Sequence, residues 1–244
     1  MLIEIYNTVL YEPIFNLLVF FYNIVPGHDL GLAIILFTIL IKLILSPFFV
    51  QSIKAQRSMQ SIQPKIDDLK EKYKGDKEKM GPAMMELYKK EKVNPFSSCL
   101  PLLIQMPILI AVFQVFRKGL VNGSFELVYP FIANPGSMDP IAFGIIDLSQ
   151  KSIVLAVLAG AAQFWQSRMM MAKRKNQPAP KSAMASAMGK QMMYILPFIT
   201  VYFGSQFPAG LTFYWFLTTL LGALQQLIVF KKMDKQELNL RTKD

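Results

Sequence analysis

The sequence predicts an all-α integral membrane protein, a five-span helical bundle with an N-terminal interfacial helix and a cytoplasmic helical hairpin. Of the 244 residues 53% are hydrophobic and only 17% charged, and the mean hydropathy is +0.34, too apolar for a surface that faces water on every side. Several stretches approach the roughly 20 apolar residues that a helix needs to cross a bilayer. The net charge of +10 is gathered into alternate connecting segments, the pattern of cytoplasmic loops.

Residues 1–28 read as an external or interfacial helix. Tyr11 to Val25 is apolar but shorter than a comfortable span, carries Glu12 and Pro13, and ends at Pro26-Gly27. A partial span packed beside the others is the alternative. The first basic residue is Lys42, so the start has neither the basic n-region of a secretory signal nor an Arg-rich, Ser-rich transit segment. The expectation is a chain that begins as it functions, in a bacterial plasma membrane.

Span 1 is assigned to 29–50, its apolar run from Leu30 to Val50 interrupted only by Lys42 and Pro47. Residues 51–95 form the one sizeable polar element. Ile62, Ile66, Leu69 and Tyr73 make one helical stripe, Gly75-Asp76 breaks it, and Met80, Met84 and Leu87 repeat the period in a second arm. Each stripe is too narrow to bury itself, so the arms should pair as an antiparallel hairpin. A solvated linker and a docking element for client, ribosome or lipid surface are the two readings of its charged outer faces.

Span 2 is assigned to 96–118, an external loop to 119–150, span 3 to 151–171 and a cytoplasmic loop to 172–191. Spans 4 (192–207) and 5 (209–230) join at Pro208, with Gly210 close by, tightly enough to require a helical hairpin; 231–244 is a cytoplasmic tail. The short fourth span implies a thinned bilayer or protein cover at its ends. Residues 51–95 hold eleven Lys or Arg, the 172–191 loop holds Lys173, Arg174, Lys175, Lys181 and Lys190, and the tail holds Lys231, Lys232, Lys235, Arg241 and Lys243. Residues 121–150 hold none, but do hold Glu126, Asp139 and Asp147. The N-terminus is therefore expected outside and the C-terminus in the cytoplasm; Arg117 and Lys118 at the outer end of span 2 run against the trend but are far outnumbered.

Enzymatic chemistry has no foothold. Cys99 and His28 are the sole residues of their kinds, and no nucleotide-binding or nucleophile-elbow motif occurs, so neither a metal nor an organic cofactor is expected. The chemistry that remains lies inside the membrane. A lysine at mid-span costs about 2.5–3.5 kcal/mol on insertion scales, so Lys42 is expected in a water-filled cavity within the bundle. Thr38, one turn earlier on the same face, would line it. Gln105, Gln163, Gln225 and Gln226 are further polar candidates, or plain interhelical glue. No Asp or Glu falls between Leu30 and Val50 or inside the other spans. An enclosed positive charge there suits an acidic group arriving from elsewhere. Methionines cluster around the third loop (Met169, Met170, Met171, Met184, Met188, Met192, Met193) and on the hairpin (Met80, Met84, Met85). They fit either contact with varied apolar segments or ordinary core filling.

Gln63-Pro64-Lys65, Glu86-Leu87-Tyr88, Glu91-Lys92-Val93-Asn94-Pro95 and Cys99-Leu100-Pro101-Leu102-Leu103-Ile104-Gln105-Met106-Pro107 closely resemble segments of the YidC family of membrane-protein insertases. Phe207-Pro208-Ala209-Gly210-Leu211, Tyr214 and Gln225-Gln226 resemble that family's final hairpin, and the match runs in order from about Pro13 to Met233. The resemblance implies a five-span core with a groove open to cytoplasm and lipid, Sec-independent insertion of small membrane proteins, and assistance to the Sec translocon. It implies a groove containing Lys42, Thr38, Gln105, Met106, Pro107, Tyr214 and Trp215. Its partners would be nascent membrane-protein clients and the bilayer, with ribosome and Sec translocon as further candidates, and no specific nucleic-acid sequence. The large periplasmic domain and extra first span of many Gram-negative members have no counterpart here, so the short form is expected. The family usually carries arginine where this chain has Lys42, which keeps the charge but not the five-donor fork. A small-solute or anion transporter or channel, and a ribosome-recruiting scaffold, are the rival functions; the first would need a pore open to both faces.

Overall fold

The computed structural model describes residues 1–98, 100–117, 125–172 and 183–241. Cys99, Lys118, Lys173, Arg174, Lys175, Lys181 and Lys243 lie outside the described residues, as do the side chains of Met184, Met188, Lys190 and Met192. The chain is mostly helical. Two of its helical stretches, Leu30–Ser61 and Ala209–Gln236, are long and apolar enough to cross a bilayer, and Leu103–Val115 and Met193–Gly204 are apolar but shorter.

Helix α1 (Leu2–Tyr6) continues through a π-helical turn (Asn7–Tyr11) into α2 (Glu12–Ile24). Pro13 has no N–H for the Val9 carbonyl, and the wider turn falls just before it. Left-handed Gly27 and His28 then reverse the chain. Asp29 opens α3 (Leu30–Ser61), its Oδ1 accepting from the Leu32 N–H at 2.9 Å, an N-cap bond. Next come α4 (Gln63–Lys72), α5 (Lys77–Lys90), α6 (Leu100–Val115), the two-residue strands β1 (Ile141–Ala142) and β2 (Ile146–Asp147), α7 (Ile153–Ala172), α8 (Ala183–Gly204) and α9 (Ala209–Arg241). The strands pair antiparallel, with Ile141 opposite Asp147.

Two compact units emerge. The first comprises Met1–Leu45, Leu102–Ala162 and Phe198–Leu221. Its core joins Phe15, Val19, Ile34, Phe37, Val112, Phe116 and Tyr214 among others. Side chains of α2 hold the loop of residues 125–150 by its backbone. Buried Asn16 donates to the Leu127 carbonyl (2.8 Å) and accepts from the Tyr129 N–H (2.7 Å), Asn23 donates to the Ala133 carbonyl, and the Tyr22 hydroxyl accepts from the Asp139 N–H. The end of the same loop caps α9, the Ala209 and Gly210 N–H groups donating to the Gln150 and Leu148 carbonyls. The Phe37 ring of α3 lies tilted against Tyr214 of α9, ring centroids 5.9 Å apart.

The second unit comprises Ser46–Pro101, Gln163–Pro197 and Gly222–Asp244. Here Gln225 donates to the Ser46 hydroxyl at 2.9 Å, Ile53 clusters with Val229 and Phe230, and Arg57 pairs with Asp234 at 2.9 Å. Partners that advance together along both chains mean that α3 and α9 run in the same direction. Helix α3 does not stop at Val50, where span 1 was placed, but runs on to Ser61, because nothing between the two positions breaks a helix. Pro64, in the first turn of α4, sets the next boundary. Ile62 therefore falls at the junction rather than in the arm. In the hairpin Ile66 is buried, while Leu69, Tyr73, Met80, Met84 and Leu87 are half-buried. The Lys65–Glu91 ion pair at 2.6 Å joins the start of α4 to the end of α5, as antiparallel arms require.

Candidate functional site

Helix α3 contributes Thr38 and Lys42, one turn apart on its inward face. Burial along that face changes with position. Leu30, Ala33, Ile34, Phe37 and Thr38 are buried, whereas Ile41, Lys42 and Leu45 are half-buried. Helix α9 is buried from Ala209 to Tyr214 and half-buried at Trp215, Phe216 and Leu217, before Thr218 and Thr219 are buried again. Helix α6 shows the change seen in α3 in reverse chain order. Ile108, Ala111, Val112, Val115 and Phe116 are buried, Ile104 and Gln105 half-buried, and Leu103, Met106 and Pro107 exposed. Phe116 lies over Gly210, so the end of α6 abuts the beginning of α9. All three helices are thus closed at the end where α3 and α9 begin; α3 and α6 loosen away from it, and α9 does so over Trp215 to Leu217.

The closed part is dry as well as tight. A cavity of about 10 Å³ remains there, lined by Ile14, Leu18, Ile34, Phe37, Val112, Val115, Phe116 and Tyr214. Such a volume holds one water at most, and a lining without polar partners leaves it empty. At the border between closed and loose parts Gln105 donates to the Tyr214 hydroxyl at 2.9 Å, tying α6 to α9. Thr38 lies on the closed side: it is 1% exposed and its hydroxyl donates to the Ile34 carbonyl at 2.6 Å, back into its own helix. Lys42, Gln105, Met106, Pro107 and Trp215 lie in the loosened part. Pro107 adds a backbone acceptor, because it cannot donate to the carbonyl of Leu103.

The remaining amides belong to the second unit. Gln163 is half-buried in α7, Gln225 bonds Ser46, and Gln226 is buried with its amide nitrogen unpartnered among the described residues. Asn16, Asp29 and Gly210, which close the opposite end, have no place among the site residues that the sequence suggests. An asparagine inside the apolar run Tyr11 to Val25 was the available signal for the first. Among the described residues no group of three His, Cys, Asp or Glu could hold a metal. The arrangement can admit a polar group from one end and offer it a cation and amides; it assembles no nucleophile or general base.

Comparison with known proteins points the same way. Residues 20–236 match the family model described as "60Kd inner membrane protein". A "Membrane protein insertase YidC" of Fusobacterium nucleatum is 34% identical over 204 residues, covering 84% of this chain and 87% of that protein. The protein of the same description from Aeromonas salmonicida is 35% identical over 233 residues, 95% of this chain and 38% of its own length. That from Shewanella amazonensis is 38% identical over 228 residues, 93% of this chain and 38% of its length. The chain therefore spans most of the first relative and little more than a third of the other two.

Proposed function

Because this chain belongs to the YidC family of membrane-protein insertases, we propose that it moves segments of client membrane proteins into the bilayer along the loosened faces of α3, α6 and α9. It is an integral membrane protein and a chaperone of insertion rather than an enzyme. The one observation that carries the mechanism is the gradient just described: dry packing at one end of the first unit, and half-buried Lys42 and Gln105 towards the other.

The proposed topology has five spans, with the N-terminus outside and the C-terminus in the cytoplasm. Supporting it, α3 and α9 run in one direction, as first and fifth spans must. Most of the basic residues also fall in the segments that this topology leaves inside, Arg117, Lys118 and Lys151 excepted. The closed end then faces outward and the loosened end faces the cytoplasm. The polar end of a nascent segment enters from inside and meets Lys42, Gln105 and the Leu103 carbonyl instead of bare hydrocarbon. Acidic residues in that end are drawn to Lys42. The apolar part meanwhile passes along exposed Leu103, Met106 and Ile110 of α6 into lipid, and burial of about 0.8 kcal/mol per CH₂ supplies the drive. Ribosome and Sec translocon are proposed partners on the cytoplasmic side, where the basic hairpin and tail lie.

Lys42→Ala should slow insertion of a client with an acidic translocated tail roughly tenfold in proteoliposomes, the equivalent of about 1.4 kcal/mol for one charge-assisted contact. A client with a neutral tail should insert unchanged, and Lys42→Arg should retain activity. Equal insertion of the acidic client by the alanine variant would remove Lys42 from the mechanism. Ion flux through client-free vesicles would instead favour a channel.

A further inference from the structure

Of the exposed large apolar side chains in the loop of residues 125–150, Phe131 at 83% and Ile145 at 81% stand out furthest, in a segment whose only charged groups are Glu126 and the two aspartates Asp139 and Asp147. Ile145 does not sit on a loose tip. The turn between β1 and β2 puts Phe143 and Gly144 at φ 55° and 70°, a conformation that a phenylalanine rarely adopts and that neighbouring contacts must hold. The Phe143 N–H donates to the Asp29 carboxylate, and its ring meets Phe213 edge-on with centroids 6.0 Å apart. The same ring occupies the space over Gly31, where an added Cβ would lie 2.7 Å from it.

Those anchors locate the hairpin. Gly31 is the second residue of α3, whose apolar run Leu30 to Val50 is about 31 Å long as a helix, close to the thickness of a hydrocarbon core. A side chain wedged against Gly31 therefore lies at the rim of the bilayer. A few residues after β2, Ile153 and Val154 in the first turn of α7 are also exposed. The acidic loop would be repelled by anionic headgroups, so charge cannot draw it to the membrane.

We propose that the loop of residues 125–150, pinned through its hairpin, is a lipid-anchoring foot, with Ile145 and Phe131 entering the headgroup–acyl boundary of the outer leaflet. It rests on the outward orientation given above and goes beyond the insertion mechanism. Attachment is by apolar area alone, so it needs no anionic lipid and survives high salt.

The full chain with Cys99→Ser, carrying Ile145→Cys, Phe131→Cys or Ser137→Cys labelled with an environment-sensitive fluorophore, tests this in phosphatidylcholine vesicles. Probes at 145 and 131 should be blue-shifted, several-fold less quenched by iodide than the probe at exposed Ser137, and quenched by lipids bearing a nitroxide near the headgroup. None of this should require anionic lipid or be lost at high salt. Iodide access at 145 or 131 equal to that at 137 overturns the proposal. So does shielding that ignores the lipid quencher and grows with protein density, which would mean a second copy covers the hairpin. Thiol labelling of Ser137→Cys in intact cells reports orientation separately. Labelling only after lysis would overturn the outward topology, and with it the outer leaflet as occupant, whatever the depth of Ile145.

Discussion

At position 210 there is no room for a side chain. A Cβ there would lie 2.5–3.0 Å from three ring carbons of Phe116, itself buried, so the ring or the α9 backbone would have to move. Gly210→Ala should destabilise the protein by about 1–3 kcal/mol, the usual cost of overpacking, read as a shift of the denaturation midpoint in detergent micelles. Asn16 is the corresponding polar keystone. Its side chain satisfies both the Leu127 carbonyl and the Tyr129 N–H, and leucine would leave both groups without that partner. Asn16→Leu should cost about 1–3 kcal/mol for each group left unsatisfied and speed amide exchange in residues 125–133. If exchange there stays slow, Asn16 is not what holds the loop. Thr38 differs from both: with its hydroxyl spent on Ile34 it stabilises its own helix and offers no donor to a neighbour.

The elements show how local signals combine. Helix α9 runs 33 residues, about 50 Å, against a hydrocarbon core of about 30 Å, so its last turns stand in water, where Asp234 meets Arg57. That pair is partly exposed, and an ion pair in such a setting contributes under about 1 kcal/mol. It orients the end of α9 more than it stabilises it. In the hairpin, Gly75 at φ 95° makes the turn and Asp76 caps α5 by accepting from the Lys79 N–H. Hydrogen bonds from the Lys79 backbone and side chain hold the Asp76 carboxyl below the usual carboxylate range. A carboxylate whose folded-state pKa is depressed contributes stability above its unfolded pKa, and loses that contribution as pH falls through the folded value. Amide exchange in the first turn of α5 should therefore be steady from neutral pH down to the carboxylate range, beyond the intrinsic pH dependence of exchange, and rise below it. In Asp76→Ala the extra rise should vanish, because exchange is already fast at neutral pH.

For the molecule as a whole, orientation is the property on which the insertion mechanism depends. A closed, dry end facing outward preserves the permeability barrier, while a loosened end facing the cytoplasm receives clients; the reverse placement would offer the cation to the wrong compartment. Single cysteines in a Cys99→Ser background decide it. An impermeant thiol reagent should label Asn134→Cys in intact cells and Gly75→Cys only after lysis, and the opposite result would invert the mechanism.

Much of this was legible in the residues before any coordinates. Composition and apolar run length set the solvent, since a chain this hydrophobic must bury its backbone polar groups in helices within lipid. Grouped lysines carried the expected orientation, and the Pro-Ala-Gly and Gln-Met-Pro signatures carried the family. These are additive or local quantities, and a sequence displays them directly. The sealing of one end was not displayed. Thr38 and Lys42 sit one turn apart on one face, yet only the second lies where the packing loosens. The difference is made by Phe37, Phe116, Gly210 and Tyr214 meeting from three distant stretches of chain. Shape complementarity between non-local side chains decides which part of a helical face is closed to water, and that exists only once the helices have packed.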